Sequence, residues 1–237
     1  MPINRDVAIT WLGHATFLVD TPGGKTILID PWLEGNPSCP PERHRIEKCD
    51  LILLTHAHGD HISSVLPVAQ ATGAHVIAQV ELADWLGTKG LKEVTGMNKG
   101  GTVRRDGIAV TMVHALHSSS IEDEGRVLYG GEAAGYVVKL ENGFTFYHAG
   151  DTAVFGDMAL IAELYQPELA MLPIGGHFTM DPFQATKAIR LIGPRHVLPM
   201  HYGTFPILAG TPDELRELTA DIEGLTIHSP SPGETVL

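Results

Sequence analysis

Short apolar runs broken by turn residues open the chain: VAITWL, ATFLVD and TILID, the last two separated by TPGG. Apolar, largely β-branched runs around a Pro-Gly-Gly turn predict three strands, the second and third joined as a hairpin. Residues 31–41 carry Pro31, Pro37, Pro40, Pro41 and Cys39 and read as a loop. LILLT is apolar until its last residue, the pattern of a short strand covered on both faces. ISSVLPVAQATG then reads as a helix closed by Gly73 in spite of Pro67, and HVIAQ as a strand. VELADWLGTKG reads as a second helix with Gly90 at its end. The middle third is strand-rich: IAVTMVHAL is β-branched, and YVVKLENGFTFYHAGD predicts a hairpin with a type I′ turn at Asn142-Gly143. Alternation resumes with helix MALIAELYQ, strand LAMLPIG, helix PFQATKAIRLIG and strand HVLPMH. The last helix, TPDELRELTADIEG, has Thr211 as N-cap and Pro212 at its first position.

Each half thus opens with strands in hairpins and continues with buried strands alternating with helices. No linker separates the halves, so residues 1–237 read as one α/β domain, two mixed sheets flanked by helices. With 43% hydrophobic residues the chain can bury an ordinary core. Its 16 basic and 28 acidic residues give a formal net charge of −12, with no basic cluster to offset it. That balance disfavours nucleic acid as a partner and points to a small-molecule substrate. Cys39 and Cys49 form no C-x-x-C pair, MPINRDVAIT lacks the form of a signal peptide, and no apolar run reaches the roughly 20 residues of a membrane span. A cytoplasmic protein that does not enter a membrane is expected. Exposed loops such as residues 31–41 leave a homo-oligomer open.

Polar residues gather where the predicted strands end. LILLT runs directly into His56, His58, Asp60 and His61; His114 and His117 close IAVTMVHAL; His148 and Asp151 follow FTFY; His177 follows LAMLPIGG; His201 follows HVLPM. Ligands of open α/β sheets sit beyond the carboxyl ends of strands. Imidazole and carboxylate donors at five strand ends suit Zn, Mn or Fe. Two cations side by side need a bridging carboxylate, for which Asp151 is the candidate.

These residues carry a family resemblance. H-A-H-G-D-H at 56–61 resembles the H-x-H-x-D-H signature of the metallo-β-lactamase superfamily. ALHSS, HAGDT and PMHYG follow in order, and WLGHATFLVDTPGGKTILIDP precedes it. Together they resemble the UPF0173 branch of metal-dependent hydrolases, related to ascorbate-6-phosphate lactonases and N-acylphosphatidylethanolamine phospholipases. The resemblance implies an αββα sandwich holding two divalent metal ions. It assigns His56, His58 and His117 to one, Asp60, His61 and His201 to the other, and Asp151 to both. A metal-bridging hydroxide would attack a small phosphodiester or a lactone or sugar acid, with Asp60 orienting the nucleophile. His117 is preferred to His114 because it lies beyond the strand pattern. His148 reads as a buried structural histidine. His14 is assigned either to substrate or to support of a ligand, His177 to substrate or a developing oxyanion, and Asp30 either to a ligand histidine or to a turn. A metal-free binding protein of the same fold, or a diiron redox protein, would be the competing functions.

Overall fold

The computed structural model describes residue 3 and residues 5–236. Strands β1 (Ala8–Trp11), β2 (Phe17–Asp20), β3 (Thr26–Ile29), β4 (Leu51–Leu53), β5 (His75–Gln79) and β6 (Val94–Met97) lie side by side in chain order. β1 to β3 are antiparallel and β3 to β6 parallel. The second sheet repeats the plan. β7 (Thr102–Arg105), β8 (Ile108–His114), β11 (Ala134–Lys139) and β12 (Thr145–His148) are antiparallel neighbours. β13 (Leu169–Pro173), β14 (His196–Met200) and β15 (Thr226–Ile227) continue in parallel. The last strand, β16 (Thr235–Val236), returns to the first sheet beside β1.

Period-two side-chain alternation divides each strand between two cores. Leu51 and Leu53 enter the core between the sheets, with Phe17, Ile29, Tyr136, Phe146, Met171 and Met200. Ile52 and Leu54 face outward onto α2 (Val65–Thr72) and α3 (Val80–Thr88). On the far side, Ala170 and Leu172 face α4 (Met158–Tyr165), α5 (Pro182–Ile192) and α6 (Pro212–Leu218). The result is helix, sheet, sheet, helix, the expected αββα sandwich.

Two expectations need correction. The helix over residues 62–73 is divided: α1 (Gly59–Ile62) stops, and α2 begins at Val65. A continuous helix would set the Pro67 ring against the Ser63 carbonyl, whereas in the first turn of α2 no N–H is needed from it. The Asn142-Gly143 hairpin forms, but not with a type I′ turn. Only Gly143 of the pair has positive φ (86°). Leu140 O accepts from Gly143 N, and Asn142 Oδ1 accepts from Phe144 N, making a longer bulged turn. A type I′ signature occurs instead at Glu124-Gly125 (φ 50° and 75°), between β9 (Ser120–Asp123) and β10 (Arg126–Tyr129). That hairpin was not expected, because the stretch SSIEDEGR has little hydrophobic pattern.

The sheets are tied at one end. Ala134 N donates to Thr55 O, Tyr136 Oη to Leu54 O (2.9 Å), and His201 N to His14 O (3.0 Å). This is the end at which β1, β3, β4, β8, β12, β13 and β14 all finish.

Candidate metal centre

Every predicted ligand stands in a turn that leaves one of those strands. Thr55 and His56 follow β4; His58 caps α1; Asp60 and His61 lie in its single turn. His117 follows β8, Asp151 follows β12 and His201 follows β14. Gly150 (φ 62°) permits the Asp151 turn, since a Cβ there would lie 2.7 Å from Ala134 O and 2.8 Å from Thr55 Cβ. Within this cluster His14 (54°), Asp30 (47°) and His201 (56°) are held with positive φ. Backbone strain of this kind persists where the surroundings impose it and gathers at functional sites.

The donors form two groups. His56, His58 and His117 make one; His14, Asp60, His61 and His201 make the other; within each, ligand atoms lie within 4.8 Å of one another. Asp151 Oδ2 faces both. It is 3.9 Å from His56 Nε2 and 3.7 Å from His117 Nε2, and 3.4 Å from His61 Nε2 and 2.9 Å from His201 Nε2.

Supporting contacts set the rings. The buried Asp30 carboxylate accepts from Thr55 N (2.8 Å) and Thr55 Oγ1 (2.6 Å) and lies 2.8 Å from His61 Nδ1. Thr55 Oγ1 is also 3.1 Å from His56 Nδ1. Thr204 Oγ1 is 2.9 Å from His14 Nδ1, leaving His14 Nε2 3.1 Å from Asp60 Oδ2. Ala57 N donates to Ser119 Oγ, joining the loop after β4 to the residue that precedes the β9–β10 hairpin. Nδ1 anchored by an oxygen while Nε2 points inward is the usual preparation of a histidine for metal.

Electrostatics separate the groups. Burial lowers the basicity of His56, His58 and His117, favouring neutral imidazoles, and His56 Nε2 lies 3.0 Å from His58 Nδ1. Burial also opposes charge on His61, but Asp151 and Asp30 on either side overcome it and raise its pKa well above the ordinary histidine value. Asp151 stays ionised against burial because His201 and His61 face it, and Asp60 because His14 does. His61 Nε2, Asp151 Oδ1, His201 Nδ1 and His201 Nε2 are buried without hydrogen-bond partners. Orphaned polar atoms of this kind are rare, and these four belong to His61, Asp151 and His201, all of them candidate ligands. The donors fit divalent cations, which would take the place of the His61 proton.

The residues and their order decide the family. The beta-lactamase superfamily domain matches residues 25–202. A UPF0173 metal-dependent hydrolase of Roseiflexus castenholzii is 53% identical over 240 residues, covering 99% of this chain and 98% of that one. The chain belongs to the UPF0173 metal-dependent hydrolases. A relative from Koribacter versatilis is 52% identical over 231 residues, with 98% of each chain covered. Igni18, a metallo hydrolase from the archaeon Ignicoccus hospitalis, shares the structure with a TM-score of 0.86 and 37% identity over 97% of both chains.

Other residues of this hydrolase stand apart from the ligand groups. His114 is exposed, 3.2 Å from Lys99 Nζ, and His148 is buried with Nε2 3.2 Å from Ala15 O and Nδ1 accepting from Gly150 N. His177 lies beyond Gly175 and Gly176 in a positive-φ turn (56°), exposed, its ring edge-on to Phe178. Cys39 and Cys49 are free and buried, and burial pushes their thiols up to about 11 and about 12. No helix among the described residues is long and apolar enough to cross a membrane. Thr55, Ser119, Tyr136 and Thr204 support the site without having been singled out in the sequence. Thr55 had one signal, its place between an apolar strand and H-A-H; isolated Thr204 had none.

Proposed function

We propose that this hydrolase binds two divalent cations side by side, of Zn, Mn or Fe type, and hydrolyses a small phosphodiester or a lactone. The carrying observation is the Asp151 Oδ2 atom, shared between imidazoles of both groups at 2.9–3.9 Å. His56, His58 and His117 would hold one cation and Asp60, His61 and His201 the other, with Asp151 between them. When bound, the cations supply Lewis acidity and acidify water, which are the requirements of hydrolysis near neutral pH.

The chain's own residues supply position and shielding. Asp60 is the more exposed of the two carboxylates, and its side chain offers an acceptor that orients a water for attack. The exposed Phe205 ring lies 6.2 Å from the His14 ring and gives that side of the Asp60 group an apolar neighbour. His177, on the exposed turn after β13, would contact a substrate oxygen in this reading. A net charge of −12 favours a small substrate over nucleic acid, and two free buried thiols suit a cytoplasmic setting.

The test combines metal analysis with hydrolysis. Protein reconstituted separately with Mn and Zn is expected to hold two ions and to cleave bis(p-nitrophenyl) phosphate or open a sugar lactone. EDTA should abolish turnover. Full activity after chelation would refute the reading, and inactivity on both substrates with two ions bound would refute the substrate class.

A further inference from the structure

Within the Asp60 group, four residues meet although three were expected to suffice. We infer that His14 is a direct ligand of the cation on the Asp60 side and that Thr204 holds its ring for that task; the inference rests on the two-cation reading above.

His14 is built as the ligands are built. His61 has Nδ1 against Asp30, His56 has Nδ1 against Thr55, and His14 has Nδ1 2.9 Å from Thr204 Oγ1. In each, the anchor turns Nε2 toward the space between the carboxylates. The His14 ring is fully buried, its centroid 3.9 Å from the His201 ring and 5.6 Å from the His61 ring. Three imidazoles therefore converge, and the Nε2 atoms of His61 and His201 face Asp151 Oδ2 at 3.4 and 2.9 Å without a well-formed hydrogen bond.

Distance supports coordination. Two donors each about 2.1 Å from one ion stand about 3.0 Å apart at a right angle and about 3.4 Å apart in a tetrahedron. His14 Nε2 and Asp60 Oδ2 are 3.1 Å apart. His61 and His201 each place Nε2 4.0 Å from the same oxygen, farther than His14 does. The backbone is also fixed for this purpose. His14 has φ 54° and His201 φ 56°, and the two are joined across the sheets by His201 N donating to His14 O. Trp11 Nε1 donates to the same carbonyl at 3.0 Å. Both the ring and the main-chain carbonyl of His14 are thus held by hydrogen-bond contacts.

The experiment uses Co(II) as probe on the full chain, in wild type, His14→Asn, His14→Ala and Thr204→Val. Asparagine tolerates positive φ, so His14→Asn keeps the fold if alanine does not. Wild type is expected to take up two Co(II) ions. Both His14 variants should keep the ion of the His56 group, bind the other at least ~100-fold more weakly, and change the visible d–d spectrum. Loss of a supporting contact typically weakens binding 10–100-fold, so Thr204→Val should fall in that range with the spectrum of wild type. A spectrum unaffected by either His14 change, whatever the loss of affinity, would show that His14 only hydrogen-bonds Asp60 and would overturn the assignment. Wild type that binds a single Co(II) would instead refute the two-cation reading, and the spectral comparison on that ion would still judge His14.

Discussion

Asp30→Asn isolates what an anchor contributes to a metal ligand. The side chain is fully buried and its carboxylate serves three partners: Thr55 N, Thr55 Oγ1 and His61 Nδ1, all within 2.8 Å. Asparagine keeps the shape and one acceptor oxygen. Its best orientation leaves that oxygen on Thr55 N and puts an NH2 group where Oδ2 was. The Thr55 hydroxyl can rotate, but His61 cannot keep a proton on Nδ1 facing another donor. Its proton must move to Nε2, the atom that should bind metal. Loss of such a partner weakens binding 10–100-fold, or about 1.4–2.7 kcal/mol. One effect runs the other way. Asp30 helps to hold the His61 proton in the metal-free protein, so asparagine makes that proton easier to displace. The lower end of the range follows, roughly tenfold. Competition against a chromogenic chelator measures it, with far-UV circular dichroism as a check on folding. Binding within twofold of wild type would show that Asp30 does not set the His61 tautomer.

Gly175→Ala should lose about 1–3 kcal/mol of stability through overpacking, because the new methyl would overlap the His201 carbonyl. Gly87→Ala, in a helix with open space around it, should instead gain about 0.5–1 kcal/mol, and thermal melts compare the two. The metal-free protein should weaken in acid. Burial lowers the His148 pKa, and its neutral ring already satisfies Ala15 O and Gly150 N. A folded pKa below the unfolded value leaves stability intact above about pH 6.5 and erodes it as pH falls further, by up to about 1.4 kcal/mol per pH unit. Urea unfolding at pH 7.5, 6.5 and 5.5 should show the decline, and His148→Met should flatten it; an unchanged slope in the variant would assign the decline to other groups.

The fold was legible wherever burial was two-sided or a turn residue was decisive. LILLT, HVIAQ and HVLPM became β4, β5 and β14 because fully apolar segments between Gly, Asp and His have few other places to go. Thr211 caps α6 and accepts from Glu214 N as its sequence implied. The split at Ser63–Ser64 was written in Pro67 but is decided by tertiary bonds, since Ser64 N donates to Pro31 O and Ser64 Oγ accepts from Leu33 N. The β9–β10 hairpin escaped notice because four exposed residues make up β10 and only Ile121 of β9 is buried. Ligand residues announced themselves by chemistry at strand ends. Thr204 did not, because a hydroxyl recruited across 190 positions leaves no local pattern.

The candidate ligands divide between the halves of the chain, with His14, His56, His58, Asp60 and His61 on the first sheet and His117, Asp151 and His201 on the second. During synthesis the first five emerge long before β14 exists, so neither donor group can close until the second sheet has docked. A nascent or truncated chain ending before residue 201 would lack His201, one donor of the Asp60 group. On the proposed two-cation reading, tight uptake of both ions would report that translation and docking are finished, and the cations would act as a late rivet across the two sheets rather than as a seed for folding.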